Sequence, residues 1–89
     1  MQSHTTAGFR ALLAAAPPGI QAKAPAAYKI WTQNPAHPSL RYKKVHSTLP
    51  IYSVRIDRDW RAVGTLQQGA MVWFWIGPHD EYERLLSSL

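Results

Sequence analysis

Residues 51–78 have the sequence IYSVRIDRDWRAVGTLQQGAMVWFWIGP, and the predicted sheet is built mainly from this segment. It holds three segments of strand length, which are 51–57, 60–66 and 70–76. The first two alternate in side-chain type, as half-buried strands do. The third is apolar at every position, which is typical of a central strand covered on both faces. Gln68-Gly69 is a plausible tight turn. We therefore predict three consecutive antiparallel strands, which Gly77-Pro78 ends.

The lengths of the two loops predict how these strands pair. A three-residue loop at 57–59 places Arg55 opposite Arg61. A two-residue loop at 68–69 gives the pairs Leu66–Met71, Gly64–Trp73 and Ala62–Trp75. Small residues opposite large ones fill a core layer well. One face of the predicted sheet then carries Tyr52, Val54, Ile56, Trp60, Trp73 and Trp75, and the two arginines lie together on the other. The loop at 57–59 lacks the glycine that such loops usually carry.

Two helices are predicted before the strands. The first has an apolar stripe of Phe9, Leu12, Leu13 and Ala16, with Thr5 or Thr6 as its cap and Pro17-Pro18 as its end. The second has a stripe of Ile20, Ala24, Ala27 and Trp31 and ends at Asn34-Pro35. Pro25 lies inside it, where a proline costs about 3 kcal/mol, so we expect either a kink or a helix that restarts there.

Residues 41–46 alternate weakly and suggest a fourth strand, and residues 79–89 can form a short C-terminal helix. The predicted fold class is α+β, with an N-terminal helical hairpin packed on a mainly antiparallel four-stranded sheet and the helices gathered on one face. A chain of 89 residues predicts one domain over residues 1–89.

The composition excludes several kinds of site. The chain has no cysteine, which removes disulfides, thiolate catalysis and cysteine-based metal sites. No segment approaches the roughly 18 consecutive apolar residues of a membrane span. The alanine-rich N-terminal stretch is too short and too broken for a signal peptide. We expect a cytoplasmic protein with no membrane partner.

Charge is distributed unevenly along the chain. Residues 1–56 contain seven Lys or Arg and no acid, whereas residues 57–89 contain three Arg and all five acids. A half-chain without carboxylates carries positive potential over much of its surface, which favours a polyanion such as RNA, DNA or an acidic protein segment. The alternative is a basic surface that serves only solubility.

Several basic residues are candidates for phosphate chemistry. Arg55 and Arg61 would repel each other unless solvent or an anion separates them, and arginine binds phosphate bidentately. Lys43 and Lys44 extend the positive field. His79 is predicted to begin a helix, and an imidazole can act as a general base or, when protonated, as a general acid. Tyr82 lies three residues later, on the same helix face.

Each candidate also has an ordinary explanation. An arginine on a strand is often only a solvated charge, and lysines on an edge strand prevent aggregation. His79 could cap its helix, and Tyr82 could be a core aromatic with its hydroxyl at the surface. A metal site is not expected, because the spacing of the histidines His37, His46 and His79 does not bring them together.

Four segments together carry a family resemblance. They are NPAHPSLR (34–41), YSVRI (52–56), WRAV (60–63) and WFWIGPHDEY (73–82). They resemble the RelE/ParE superfamily of toxins from type II toxin–antitoxin systems, in particular the RelE-like cytotoxic translational repressors and plasmid-stabilisation proteins. The resemblance extends from Phe9 to Leu86 and covers nearly the whole chain.

The resemblance implies both an activity and its residues. It implies a ribosome-dependent mRNA endonuclease that inhibits translation and needs neither metal nor cofactor. The implied catalytic residues are Arg55, Arg61, His79 and Tyr82, and the implied RNA-binding residues are Arg41, Lys43, Lys44 and Arg58. The family has no single invariant catalytic set. The only acids expected near the site here are Asp57, Asp59, Asp80 and Glu81, so the general base stays open.

The resemblance also implies partners and alternatives. The expected partners are a cognate antitoxin, the ribosome and mRNA. The superfamily also contains ParE-like proteins that poison DNA gyrase without enzymatic activity, so gyrase is the alternative target. A decayed toxin without activity is the third possibility.

Overall fold

The computed structural model describes residues 2–89, and its strands form one five-stranded sheet. The elements in chain order are β1 (Gln2–Thr5), α1 (Ala7–Ala14), α2 (Pro18–Gln33), β2 (Lys43–Lys44), β3 (Ile51–Arg55), β4 (Trp60–Gln67), β5 (Ala70–Pro78) and α3 (His79–Ser88). The strand order is β1-β5-β4-β3-β2, antiparallel throughout except for the parallel β1–β5 pair. The predicted α+β class is confirmed. The sheet also has a fifth strand, β1, which pairs with β5. It was not predicted, because residues 2–5 show no strand pattern in the sequence.

The two N-terminal helices form where the sequence predicts them. Thr6 caps α1, and its side-chain oxygen accepts a hydrogen bond from the Phe9 N–H at 3.0 Å. α2 continues across Pro25 without a restart, and the proline ring lies on the exposed side. All four residues of the predicted α2 stripe are buried against the sheet. No helix within residues 2–89 combines the length and the apolar character that a membrane crossing requires.

The helices cover both faces of the sheet. α1 and α2 pack on one face, in a core that includes Trp31, Met71 and Trp73. α3 packs on the other face, where Tyr82 contacts a cluster with Ile51 and Val63. The prediction that all helices lie on one face is therefore wrong for α3. The apolar residues of α3 recur at helical spacing, so the helix buries its own stripe on the face that the hairpin leaves free.

A β-bulge changes the predicted register of β5. The pairs Arg55–Arg61, Leu66–Met71 and Gly64–Trp73 form as predicted. Beyond Gly64, however, Phe74 is an extra residue, so Val63 rather than Ala62 lies opposite Trp75. Trp75 therefore packs in the cluster on the α3 side, and its predicted place in a layer with Trp73 is wrong. The sequence could not reveal this shift, because residues 70–76 are all apolar and carry no alternation.

β4 and β5 pack closely at Gly64, and a substitution there tests this packing. A β-carbon at this position would lie 2.8 Å from the Trp73 ring and 3.0 Å from the Val72 carbonyl oxygen. Gly64→Ala should therefore lower the free energy of unfolding by about 1–3 kcal/mol through overpacking. Gly19→Ala is the matched control, because its β-carbon meets nothing within 4 Å and lies in a helix. Urea unfolding of both variants checks the prediction, and equal stability of the two would contradict the Gly64–Trp73 packing.

Candidate phosphate-binding cleft

An open cleft of about 540 Å³ lies between the β2–β3 side of the sheet and α3. Seven predicted site residues line it: Arg41, Lys43, Lys44, Arg55, Arg61, His79 and Tyr82. Four residues that the sequence did not single out also line it: Val45, Ser53, Glu83 and Leu86. Arg58 does not line the cleft; it is exposed in the loop between β3 and β4. The fold thus gathers cations from three strands and the loop before them at one surface.

Arg55 and Arg61 lie directly opposite each other on the face that α3 covers. The backbone N–H of Arg55 donates to the Leu40 carbonyl at 2.6 Å, which ties β3 to the segment that carries Arg41. The Arg61 Nη1 donates to the carbonyl oxygens of Asp57 at 2.8 Å and Trp60 at 3.0 Å. These bonds orient the guanidinium and use only Nη1, so its other nitrogens can donate to an anion in the cleft.

The β3–β4 loop turns without glycine because Asp57 closes it. Its Oδ1 accepts hydrogen bonds from the backbone N–H groups of Asp59 at 2.9 Å and Trp60 at 3.0 Å, and its Oδ2 accepts one from Lys23 at 3.2 Å. Within residues 2–89, positive φ angles occur only at Arg41, Gln68 and Gly69, so this loop needs no left-handed residue. Partial burial acts to raise the pKa of the Asp57 carboxyl, but these hydrogen bonds and the Lys23 charge outweigh it and lower the pKa.

The same loop anchors the start of α3. The backbone N–H of His79 donates to the Asp59 carbonyl at 2.7 Å, so the imidazole follows directly from β5 at the rim of the cleft. His79 Nε2 lies 3.4 Å from Glu83 Oε1. The expectation that the site has only Asp57, Asp59, Asp80 and Glu81 as nearby acids is wrong, since Glu83 lines the cleft. The spacing of four residues on a predicted helix was the signal that could have identified Glu83.

Tyr82 lies beneath the cleft rather than at its rim. Only 6% of the residue is exposed, and its hydroxyl donates to Ser53 Oγ at 3.1 Å. Ser53 is itself only 2% exposed and pairs with Lys43 across the strands. The sequence indicated Ser53 only through its alternation with Arg55, which places both side chains on one face of β3.

Metal binding finds no support in the geometry of the described chain. Residues 2–89 contain no group of three histidine, aspartate or glutamate side chains placed to hold a metal ion. Outside the cleft, His37 and His46 bond mainly to residues next to them in the chain, and His46 Nε2 also lies 3.1 Å from the Leu89 carbonyl oxygen. His37 Nδ1 contacts the Ser39 hydroxyl at 2.7 Å, and His46 Nδ1 accepts from the Leu49 N–H at 2.9 Å.

Comparisons with known proteins identify related sequences and folds. A family model described as ParE-like toxin domain matches residues 18–84. No curated protein sequence matches the chain significantly. Among solved structures, the chain is similar to one from the RelB–RelE antitoxin–toxin complex of Methanococcus jannaschii, with 11% identity, coverage of 91% of this chain and 95% of that one, and a TM-score of 0.72. YafQ from E. coli is 12% identical, with coverage of 91% and 96% and a TM-score of 0.73. The archaeal RelE–RelB complex of Pyrococcus horikoshii gives 13% identity, 86% and 92% coverage, and a TM-score of 0.68.

Asp57 provides a test of how the cleft is held together. Asp57→Ala removes the acceptor of two backbone N–H groups and should lower the free energy of unfolding by about 1–2 kcal/mol. Asp57→Asn keeps an oxygen for those bonds and should cost less. Because the folded-state pKa of Asp57 is lowered, its contribution is present above the unfolded pKa and is lost as the pH falls through the folded pKa. Urea unfolding between about pH 6 and pH 3 should therefore show a steeper loss for the parent than for Asp57→Asn. Identical pH profiles would contradict this role.

Proposed function

Because the chain belongs to the family of ParE-like toxin domains, we propose that it is the toxin of a type II toxin–antitoxin system and acts as a ribosome-dependent mRNA endonuclease. One observation carries the proposal: three Arg and two Lys side chains meet a histidine and a tyrosine in a single cleft. Such a cluster suits a phosphate whose charge increases during reaction. A basic surface that served only solubility would have no reason to gather its charges around an imidazole.

The proposed reaction is cleavage by the RNA's own 2′-hydroxyl. This oxygen attacks the adjacent phosphorus in line, the bond to the 5′-oxygen breaks, and the products are a cyclic phosphate and a 5′-hydroxyl end. Arg55 and Arg61 stabilise the added negative charge on the phosphorane. The 2′-hydroxyl loses a proton and the leaving 5′-oxygen gains one, and His79 at the rim of the cleft transfers one of these protons. Glu83 holds the imidazole through the contact between Oε1 and Nε2.

The remaining basic residues bind the RNA backbone. Arg41, Lys43 and Lys44 line the cleft beside the edge strand β2 and neutralise phosphates, a contribution that weakens as salt rises. Arg58 extends the positive surface beyond the cleft. The cleft is open and the chain is small, so the ribosome supplies the alignment of the substrate that the protein does not.

The proposed partner in the resting cell is a cognate antitoxin. Several similar solved structures are complexes with an antitoxin, among them the RelB–RelE and DinJ–YafQ complexes. An acidic segment that covers Arg55 and Arg61 would neutralise the pair of cations and exclude RNA from the cleft. Complementary charge of this kind also speeds association at low salt.

A second candidate function is the non-enzymatic poisoning of DNA gyrase, which the ParE-like description of the matching family favours. Pulse labelling after induction separates the two. Early failure of protein synthesis supports the endonuclease, whereas early DNA damage with translation intact supports gyrase. A chain that affects neither would be the decayed toxin.

Substitutions of Arg61 and His79 test the proposed endonuclease activity. Arg61→Ala and His79→Ala should each lower mRNA cleavage on programmed ribosomes by about 10²–10³-fold and abolish toxicity, because the first removes a charge that stabilises the phosphorane and the second removes the group that transfers a proton. Arg84→Ala and His37→Ala are the matched controls, since neither residue lines the cleft. Because Arg61→Ala also loses hydrogen bonds to the β3–β4 loop, its thermal unfolding must be measured beside its activity. Arg61→Lys keeps the positive charge but lacks the guanidinium that can donate two parallel hydrogen bonds to a phosphate. Cleavage at the parent rate by folded Arg61→Ala or His79→Ala would remove that residue from the site.

A further inference from the structure

The paired hydroxyl groups of Tyr82 and Ser53 include one O–H donor that finds no hydrogen-bond acceptor within residues 2–89. Two hydroxyl groups hold two protons, and the one hydrogen bond between them, at 3.1 Å, uses one. Whichever oxygen donates, the other proton has no acceptor among the hydrogen bonds of residues 2–89. Both residues are more than nine-tenths buried, and an unsatisfied buried donor costs about 1–3 kcal/mol. The position of this donor therefore requires an explanation.

The surroundings indicate which acceptor it fits. Both residues line the basic cleft, and Ser53 lies on β3 two residues before Arg55 and opposite Lys43. Most other polar groups of the cleft are cationic donors, and its one carboxylate, that of Glu83, already lies 3.4 Å from His79. A free hydroxyl among cations suits an anionic oxygen that they attract, because charge-assisted hydrogen bonds are the strongest a hydroxyl can form.

We propose that the Ser53 hydroxyl, held by the buried Tyr82 hydroxyl, binds a non-bridging phosphodiester oxygen of a nucleic acid strand in the floor of the cleft. Tyr82 donates to Ser53 Oγ, and Ser53 donates to the phosphate oxygen. Such a chain strengthens both bonds, because each polarises the next. Ser53 is thus a binding residue, and Tyr82 is a positioning residue that acts through it rather than by stacking on a base. The inference rests on the proposed function only in that the cleft receives RNA backbone.

A binding measurement tests this apart from cleavage. The probe is a short 2′-O-methyl oligoribonucleotide, which lacks the attacking hydroxyl and cannot be cut, titrated by calorimetry at low salt. Ser53→Ala should weaken its binding about tenfold, the effect of losing one hydrogen bond to a charged group. Tyr82→Phe should produce a smaller loss, and the double variant should bind no worse than Ser53→Ala, because the two hydroxyls act as one unit.

The chain offers a matched control for the tyrosine. Tyr28 also bonds a serine hydroxyl, that of Ser3, but on an exposed surface away from the cleft. Tyr28→Phe should therefore leave oligonucleotide binding unchanged. Tyr82→Phe keeps the ring that packs on the sheet, so it provides the test if Ser53→Ala does not fold.

The outcomes separate this inference from the proposed function. The inference would be overturned if folded Ser53→Ala bound the oligonucleotide as tightly as the parent while Arg61→Ala bound it more weakly. If Ser53→Ala does not fold, the same result for Tyr82→Phe would overturn it. The hydroxyl pair would then be purely structural. Failure of the parent itself to bind the oligonucleotide at low salt would also overturn it. If the parent never cuts mRNA but its oligonucleotide binding depends on the Ser53 and Tyr82 hydroxyls, the inference stands and only the proposed endonuclease activity is rejected.

Discussion

The carboxylate of Asp57 closes the β3–β4 loop, and much of the cleft depends on that closure. Its bonds to two backbone N–H groups turn the chain so that Arg55 and Arg61 lie opposite each other. The carbonyl oxygens of the same loop then receive the Arg61 guanidinium and the first N–H of α3. One short loop thus sets the positions of a strand pair, a guanidinium and the helix that carries His79. Lys23 of α2 also binds Asp57, which links this arrangement to the helical face.

The bulge at Phe74 supports the opposite wall of the cleft. By moving Trp75 to the α3 face, it gives that face a large apolar group beside Val63. The indole lies over Gly77, where a β-carbon would come within 2.5 Å of the ring. The apolar residues of α3, which are Tyr82, Leu85 and Leu86, pack in the same cluster as Trp75. Burial of this apolar surface holds α3 on the sheet and so keeps His79 at the rim of the cleft.

The cleft concentrates charges of one sign at one surface. Arg55 and Arg61 face each other, and within residues 2–89 neither forms an ion pair with a carboxylate, so their repulsion costs stability unless an anion bridges them. Lys43 and Lys44 form the short edge strand, where their charge also discourages pairing with another chain. The free energy of unfolding is therefore lower than it would be with a mixture of opposite charges at this surface. An acidic antitoxin segment or an RNA backbone would each relieve the repulsion.

Local rules in the sequence determined most of the elements. Apolar spacing located α1 and α2, and the Gly77-Pro78 break indicated where α3 begins. Alternation and loop length placed Arg55 beside Arg61. The sequence also determined which residues were candidates, because cations without carboxylates in residues 1–56 can be counted directly. Tertiary structure decided the rest. The strand β1 exists only because β5 offers it an open edge, and the bulge at Phe74 is invisible in a run of uniformly apolar residues. The face on which α3 packs, and with it the meeting of Tyr82 with Ser53, depended on contacts between residues 29 positions apart, which no local pattern encodes.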